Sequence, residues 1–190
     1  MPLKRIAIYC GSRSGDHPEY TLAAQRLADA LLARNLGVVY GAGNVGLMKV
    51  VADRMLAGGG QVWGVIPRKL IDLELAHPHL TETFITESMR ERKLMMAQMA
   101  DAFIALPGGF GTLEELAEVA TLTQLNYHDK PVGVLNTRGY YDSLLSWIQH
   151  ANTEGFIRDA HVNLVASSAD PEALLLQMSQ AAFPKIEDQL

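Results

Sequence analysis

Pro107-Gly108-Gly109-Phe110-Gly111-Thr112-Leu113-Glu114-Glu115 joins residues that receive an anion to residues that carry charge or protons. Gly108, Gly109 and Gly111 are expected to adopt left-handed backbone angles and to turn several amides into one concavity. Thr112 is expected to open a helix whose positive end favours an anion, with its hydroxyl donating to a phosphate oxygen. A phosphomonoester suits such a cradle. On that helix, read as Thr112–Asn126, Glu114, Glu118 and Thr121 share a face by i, i+4, i+7 spacing. Glu115 lies about 100° round, nearer the loop, close to whatever the phosphate is attached to. Thr112-Leu113-Glu114-Glu115 also spells a capping box, a purely structural role. A cap needs one glycine and the segment has three, so a ligand-binding loop is the preferred reading.

A second charged group precedes this loop. Met89–Ala100 reads as a helix, with Arg92, Met96 and Met99 on one stripe. Arg92 therefore projects with apolar residues, either as a snorkelling side chain or as a functional cation. Gly41-Ala42-Gly43-Asn44-Val45-Gly46 matches the dinucleotide fingerprint between a strand and a helix. That fingerprint also requires an acid at the end of the next strand, and Gln61–Ile66 ends in Pro67-Arg68-Lys69. A tight turn letting the backbone approach a neighbour or ligand is preferred. Cys10 lacks a His or Asn partner at readable spacing and is expected to pack in the core. His77-Pro78-His79 lacks further ligands, and no metal or cofactor is expected.

These residues need a scaffold, and the chain supplies one by alternation. Arg5–Cys10, Leu36–Tyr40, Gln61–Ile66, Ala102–Leu106, Val132–Leu135 and Asn163–Ala166 read as strands, with a short one near Phe84 inside the irregular stretch Pro67–Glu87. Helices are expected over Pro18–Asn35, Val45–Leu56 and a terminal segment capped by Asp170-Pro171 through Met178. Apolar β-branched runs without alternation are strands covered on both faces. The implied fold class is α/β: one doubly wound, Rossmann-like domain over residues 1–190, its mostly parallel sheet flanked by helices, with 183–190 as a loose tail. Three strands end in glycine-rich loops, at Cys10-Gly11-Ser12, Tyr40-Gly41-Ala42-Gly43 and Leu106-Pro107-Gly108-Gly109, which puts all three on one rim.

Composition narrows the partners. At 190 residues, 48% of them hydrophobic and 19% charged, the chain suits one well-buried core. A net charge of −5 without a run of Lys or Arg longer than two residues disfavours nucleic acid. Nothing approaches a membrane helix, no secretory pattern follows Met1, and the single cysteine fits a reducing compartment; a cytoplasmic protein is expected.

Together these residues resemble the LONELY GUY (LOG) family of cytokinin-nucleotide phosphoribohydrolases, once mislabelled lysine decarboxylases. Its signature P-G-G-x-G-T-x-x-E stands unbroken at Pro107–Glu115, with the companion pair at Arg92-Lys93. The likeness runs from Cys10-Gly11-Ser12 through His128–Gly133 to Gly139-Tyr140-Tyr141. It implies hydrolysis of the N-glycosidic bond of N6-prenylated adenosine 5′-monophosphates, releasing free base and ribose 5-phosphate, with cleavage of AMP itself as a variant. It implies Arg92 and Glu115 as the catalytic pair, and substrate contacts from Glu74, Lys93, Gly108, Gly109, Phe110, Gly111, Thr112, Leu113, Glu114 and Thr121. It also implies a homodimer with active sites near the interface. In that chemistry Glu115 stabilises positive charge at the anomeric carbon or positions water. Arg92 is expected to orient the substrate and keep Glu115 ionised. The rival reading is a non-catalytic carrier of the same fold, for a nucleotide or a molybdenum cofactor, which needs the loop but not the carboxylate.

Overall fold

A computed structural model describes residues 3–71 and 76–181. Its seven strands form one sheet, ordered β4-β3-β2-β1-β5-β6-β7, in which every neighbouring pair runs parallel. In chain order the elements are β1 (Arg5–Tyr9), α1 (Pro18–Ala33), β2 (Gly37–Tyr40), α2 (Gly46–Ala57), β3 (Val62–Pro67), the single turn α3 (Arg68–Ile71), β4 (Glu82–Thr86), α4 (Met89–Met99), β5 (Ala102–Ala105), α5 (Phe110–Gln124), β6 (Val132–Leu135), α6 (Asp142–Thr153), β7 (Val165–Ser168) and α7 (Pro171–Ser179).

Central β1 shows how the sequence builds two layers. Ile6 and Ile8 turn to one face, where they meet Leu27, Leu31, Val51, Met55 and Leu174 from α1, α2 and α7. Ala7 and Tyr9 turn to the other, against Met96, Leu116, Val119 and Tyr141. Both faces are dry, so no polar alternation was available to mark the strands. Truncating a side chain such as Phe103, which is fully buried, would cost about 3–5 kcal/mol.

The order also sets where a ligand fits. The chain leaves β1 toward β2 and later crosses back to place β5 on β1's other side, with Ile6 opposite both Val38 and Ala102. The loops after β1 and β5 therefore diverge to opposite faces and open a crevice at the strands' carboxyl ends.

Most expected elements are present within a residue or two. Four differ. The last strand lies two residues later than Asn163–Ala166, α5 begins at Phe110 rather than Thr112, and neither α6 nor the single turn α3, which falls in the stretch read as irregular, was anticipated. The loose tail expected over 183–190 and the site residue Glu74 lie outside the described residues.

Candidate active site

The helix start at α5 is built by a neighbour-satisfied loop. The carbonyl of Leu106 accepts from the Tyr141 hydroxyl at 2.7 Å, that of Pro107 from the Gly11 amide at 3.0 Å, and that of Gly108 from the Tyr140 hydroxyl. The Gly109 carbonyl takes the first helical amide, Leu113 N, at 3.1 Å. The amides of Phe110, Gly111 and Thr112 precede that bond and have no helical partner. They are donors at the positive end of a helix of 15 residues.

The glycines do not act as expected. None of Gly108, Gly109 or Gly111 has a positive φ. Gly108 makes room for Thr112: a Cβ there would lie 2.2 Å from the Thr112 hydroxyl oxygen. Beyond the adjoining backbone, a Cβ on Gly109 or Gly111 would meet no described residue within 4 Å. A glycine in a helix's first turn costs about 1 kcal/mol against alanine. With no side chain of the described residues near it, the space left at Gly111 suits a group from outside the chain. The capping box at Thr112 is likewise absent: Gly109 is the N-cap, without a side-chain bond, and Thr112 is buried within the first turn. A box of this kind forms instead at α4, where Ser88 accepts from Glu91 N at 3.1 Å and Glu91 accepts from Glu87 N at 2.8 Å.

That cap fixes the helix that carries Arg92. Far from snorkelling, Arg92 is only 9% exposed. Its Nε donates to the Val65 carbonyl at 3.2 Å and its Nη1 lies 3.5 Å from Met89 Sδ. Its tip fills the space over Gly41, where a Cβ would lie 1.6 Å from Nη2. The remaining glycines of the fingerprint also face neighbours: Gly43 faces Met48, and Gly46, at φ +56°, presses on the Ser12–Arg13 peptide. The dinucleotide pattern is a packing device. Each glycine lets an element of the rim approach more closely than any side chain would permit.

Arg92, Glu115, Glu114, Thr112, Gly111, Phe110 and Gly109 wall one cavity of about 340 Å³, closed below by Tyr9, Cys10 and Gly41. Burial pushes the Glu115 carboxyl up to about 7; the Arg92 charge opposes this, Glu114 adds to it, Lys93 opposes it and Glu118 adds again. Arg92 was expected to hold Glu115 ionised. No ion pair joins the two, and desolvation outweighs the attraction. A carboxyl divided between its two forms near neutrality is placed for proton transfer. Burial, with the Glu115 charge second, also raises the Tyr9 hydroxyl and the Cys10 thiol, so neither is an acid or nucleophile near neutrality.

Lys93 does not line the cavity. It bridges α4 to α5 by pairing with Glu114 and, at 3.0 Å, with Glu118. Leu113 is exposed outside the cavity and Thr121 donates to Ala117's carbonyl at 2.7 Å, so neither is brought to it. Cys10 is buried, as expected of a packing residue. His77 is buried against Asp53, Nε2 to Oδ1 at 2.9 Å. A larger cavity of about 650 Å³ lies between α6 and β7, away from all of these groups.

A Rossmann-like sheet with a cleft at its switch point, walled by a helix start and an adjacent carboxyl, places the chain among the α/β proteins whose sites lie at the carboxyl ends of the strands. Solved structures agree on the fold. The molybdenum cofactor binding protein of Rippkaea orientalis superposes with a TM-score of 0.71 at 22% identity, over 95% of this chain and 98% of that one. The molybdenum cofactor carrier protein of Chlamydomonas reinhardtii gives 0.70 at 16%, over 94% and 98%. Sequence is more specific. The family described as "Possible lysine decarboxylase" matches residues 48–178. Cytokinin riboside 5′-monophosphate phosphoribohydrolase LOG7 of Arabidopsis thaliana is 46% identical over 93% of this chain and 82% of its own length. LOG2 of the same plant is 44% identical over 97% and 86%, and the probable enzyme LOGL1 of Oryza sativa subsp. japonica 45% over 93% and 79%. The chain belongs to the LONELY GUY (LOG) family. The decarboxylase description and the relatives' names disagree, and the cleft sides with the names: among the described residues no lysine lines it to hold an electron-sink cofactor.

Proposed function

We propose that the protein hydrolyses the N-glycosidic bond of adenosine 5′-monophosphates, N6-prenylated or plain, to free base and ribose 5-phosphate. The observation that carries this reading is the half-buried Glu115 carboxyl, set beside Arg92 one turn into a helix whose first amides are free. A carrier needs the cradle; it has no use for a desolvated carboxyl at its wall. The names of the relatives at 44–46% identity support the same chemistry.

In this mechanism the 5′-phosphate sits on the amides of Phe110, Gly111 and Thr112, and its binding energy positions the sugar. The C1′–N9 bond breaks with its electrons passing to the purine, which takes up a proton from solvent. The anomeric carbon becomes positive and is met by water. Ionised Glu115 stabilises that charge and accepts the water's proton. Arg92 orients the substrate. Gly108, Gly109, Phe110, Gly111, Thr112 and Glu114 complete the substrate wall, and Lys93 holds Glu114 in place. Glu74, Leu113 and Thr121 remain candidates from the family resemblance alone.

Met89, Leu94, Phe110 and Leu113 leave apolar surface exposed on α4 and α5 beside the cleft, which supports a homodimer with the active sites near its interface. The free Cys10, and the lack among the described residues of any helix long and apolar enough to cross a membrane, accord with a cytoplasmic setting. The test is to incubate the protein separately with AMP, isopentenyladenosine monophosphate and adenosine and to separate bases from nucleotides. Base release from a monophosphate and not from adenosine is expected. No base from any of them would favour the carrier.

A further inference from the structure

The cleft continues past Gly11 and Ser12 into a second cavity of about 380 Å³. Arg13, Tyr20, Pro107, Gly108 and Tyr140 wall it, and Gly11, Ser12 and Gly109 belong to both halves. Tyr20 and Tyr140 meet edge to face at 6.0 Å and close its far side. The cradle at α5 therefore opens to two sides, and only one of them holds the catalytic pair.

The other side holds an unused cation. Arg13 is exposed, and its guanidinium makes no hydrogen bond or ion pair with any described residue. Arg26, Arg34 and Arg54, which are also on the surface, are each paired with an acid. The Arg13 backbone, by contrast, is held firmly. A Cβ on Gly46 would come within 2.4 Å of Arg13 N, and Leu47 N donates to the Gly11 carbonyl at 3.1 Å. A fixed backbone thus keeps an unpaired guanidinium at the wall of this cavity, where an anion can meet it.

Charge balance shows why one is needed. A phosphate dianion at the start of α5 would face Glu114 and Glu115 across the first cavity. Lys93 is already committed to Glu114 and Glu118, and Arg92 is buried against Val65 and Gly41. Arg13 is the remaining cation on either wall among the described residues.

We propose that Arg13 is a specificity-determining residue that pairs with the 5′-phosphate from the second cavity and so selects phosphorylated over unphosphorylated nucleosides. The proposal rests on the phosphoribohydrolase reading for its substrate, but binding alone can test it. Calorimetric titration with ribose 5-phosphate should show affinity about tenfold weaker for Arg13→Ala, the size of one charge-assisted hydrogen bond, with Arg13→Lys between. Steady-state kinetics with AMP should show the loss in KM, with kcat within about twofold, and a weaker dependence of KM on ionic strength. Inhibition by adenosine should be unchanged. Equal ribose 5-phosphate affinity in wild type and Arg13→Ala would overturn the proposal, as would an equal loss for adenosine and AMP. Arg13-dependent binding in a protein that cleaves no nucleotide would uphold the contact and refute the hydrolase reading.

Discussion

Glu115→Gln should inactivate the enzyme and yet make the protein more stable, and only at neutral to alkaline pH. The carboxyl has an ordinary value of 4.5 and is pushed up to about 7 when folded, chiefly by burial. Below 4.5 it is neutral in both states and costs nothing. Between 4.5 and about 7 the unfolded chain has released its proton while the folded chain retains it, so stability falls as pH rises through that window. Above it the cost is constant. At about 1.4 kcal/mol per pH unit, the interval corresponds to about 3 kcal/mol at pH 8 and less than about 1 kcal/mol at pH 5. Glutamine keeps the shape and removes the charge. For a chain of this size the gain at pH 8 should raise Tm by about 6–12 °C, and at pH 5 by less than about 4 °C. Thermal unfolding by calorimetry at both pH values, with base release measured in parallel, makes the comparison. Glu114→Gln, on an exposed side chain, is the control, expected within about 1 kcal/mol at either pH. A gain that is the same at both pH values, or a loss at pH 8, would refute the claim that the folded site desolvates this charge.

Three further outcomes follow from the same cleft. Gly41→Ala alters no catalytic group, but its methyl takes the place of the Arg92 tip; kcat/KM for AMP should fall about a hundredfold, the usual effect of an ångström's misplacement. Gly111→Ala should weaken ribose 5-phosphate binding in a titration while leaving Tm unchanged or higher, because alanine gains up to about 1 kcal/mol in a helix and meets no protein atom. In Lys93→Ala, Glu114 and Glu118 lose their partner and Glu115 loses a cation that lowers its pKa. The rise of kcat/KM with pH, centred near 7 in the parent, should then move to higher pH; an unmoved limb would mean that Glu115 is not the titrating group.

The sequence made the scaffold readable because both sheet faces are dry: runs such as Ile6–Tyr9 and Val132–Leu135 have no other use. Three strands ending in glycine placed the cleft, and the Pro107–Glu115 pattern named its wall. Purposes were harder to read than places. Gly108 was expected to bend the chain and instead admits the Thr112 hydroxyl; Gly41 was expected in a tight turn close to a neighbour or ligand, but that the neighbour is Arg92 was not legible. Each of these depends on a side chain arriving from another element, which spacing along one segment does not encode. The same holds for Glu115, whose proton affinity is set by how much water the fold removes, and for Arg13, whose lack of a partner is visible only once every neighbour is placed. One signal was there and went unread: Ser88-Met89-Arg90-Glu91 has the capping spacing, and the cap forms there.

Tyr140 and Tyr141 reach the loop before α5 from behind, and with Gly11 they occupy the three successive carbonyl oxygens from Leu106 to Gly108. A peptide unit has two poles, and a flip of any of these units would turn an oxygen toward the incoming phosphate and repel it. The tyrosines and Gly11 act as a ratchet against that flip. The loop is wired in its receptive polarity before any ligand arrives, so binding has no peptide to reorient. Residues far along the chain thereby set the sign of the charge that this cleft admits.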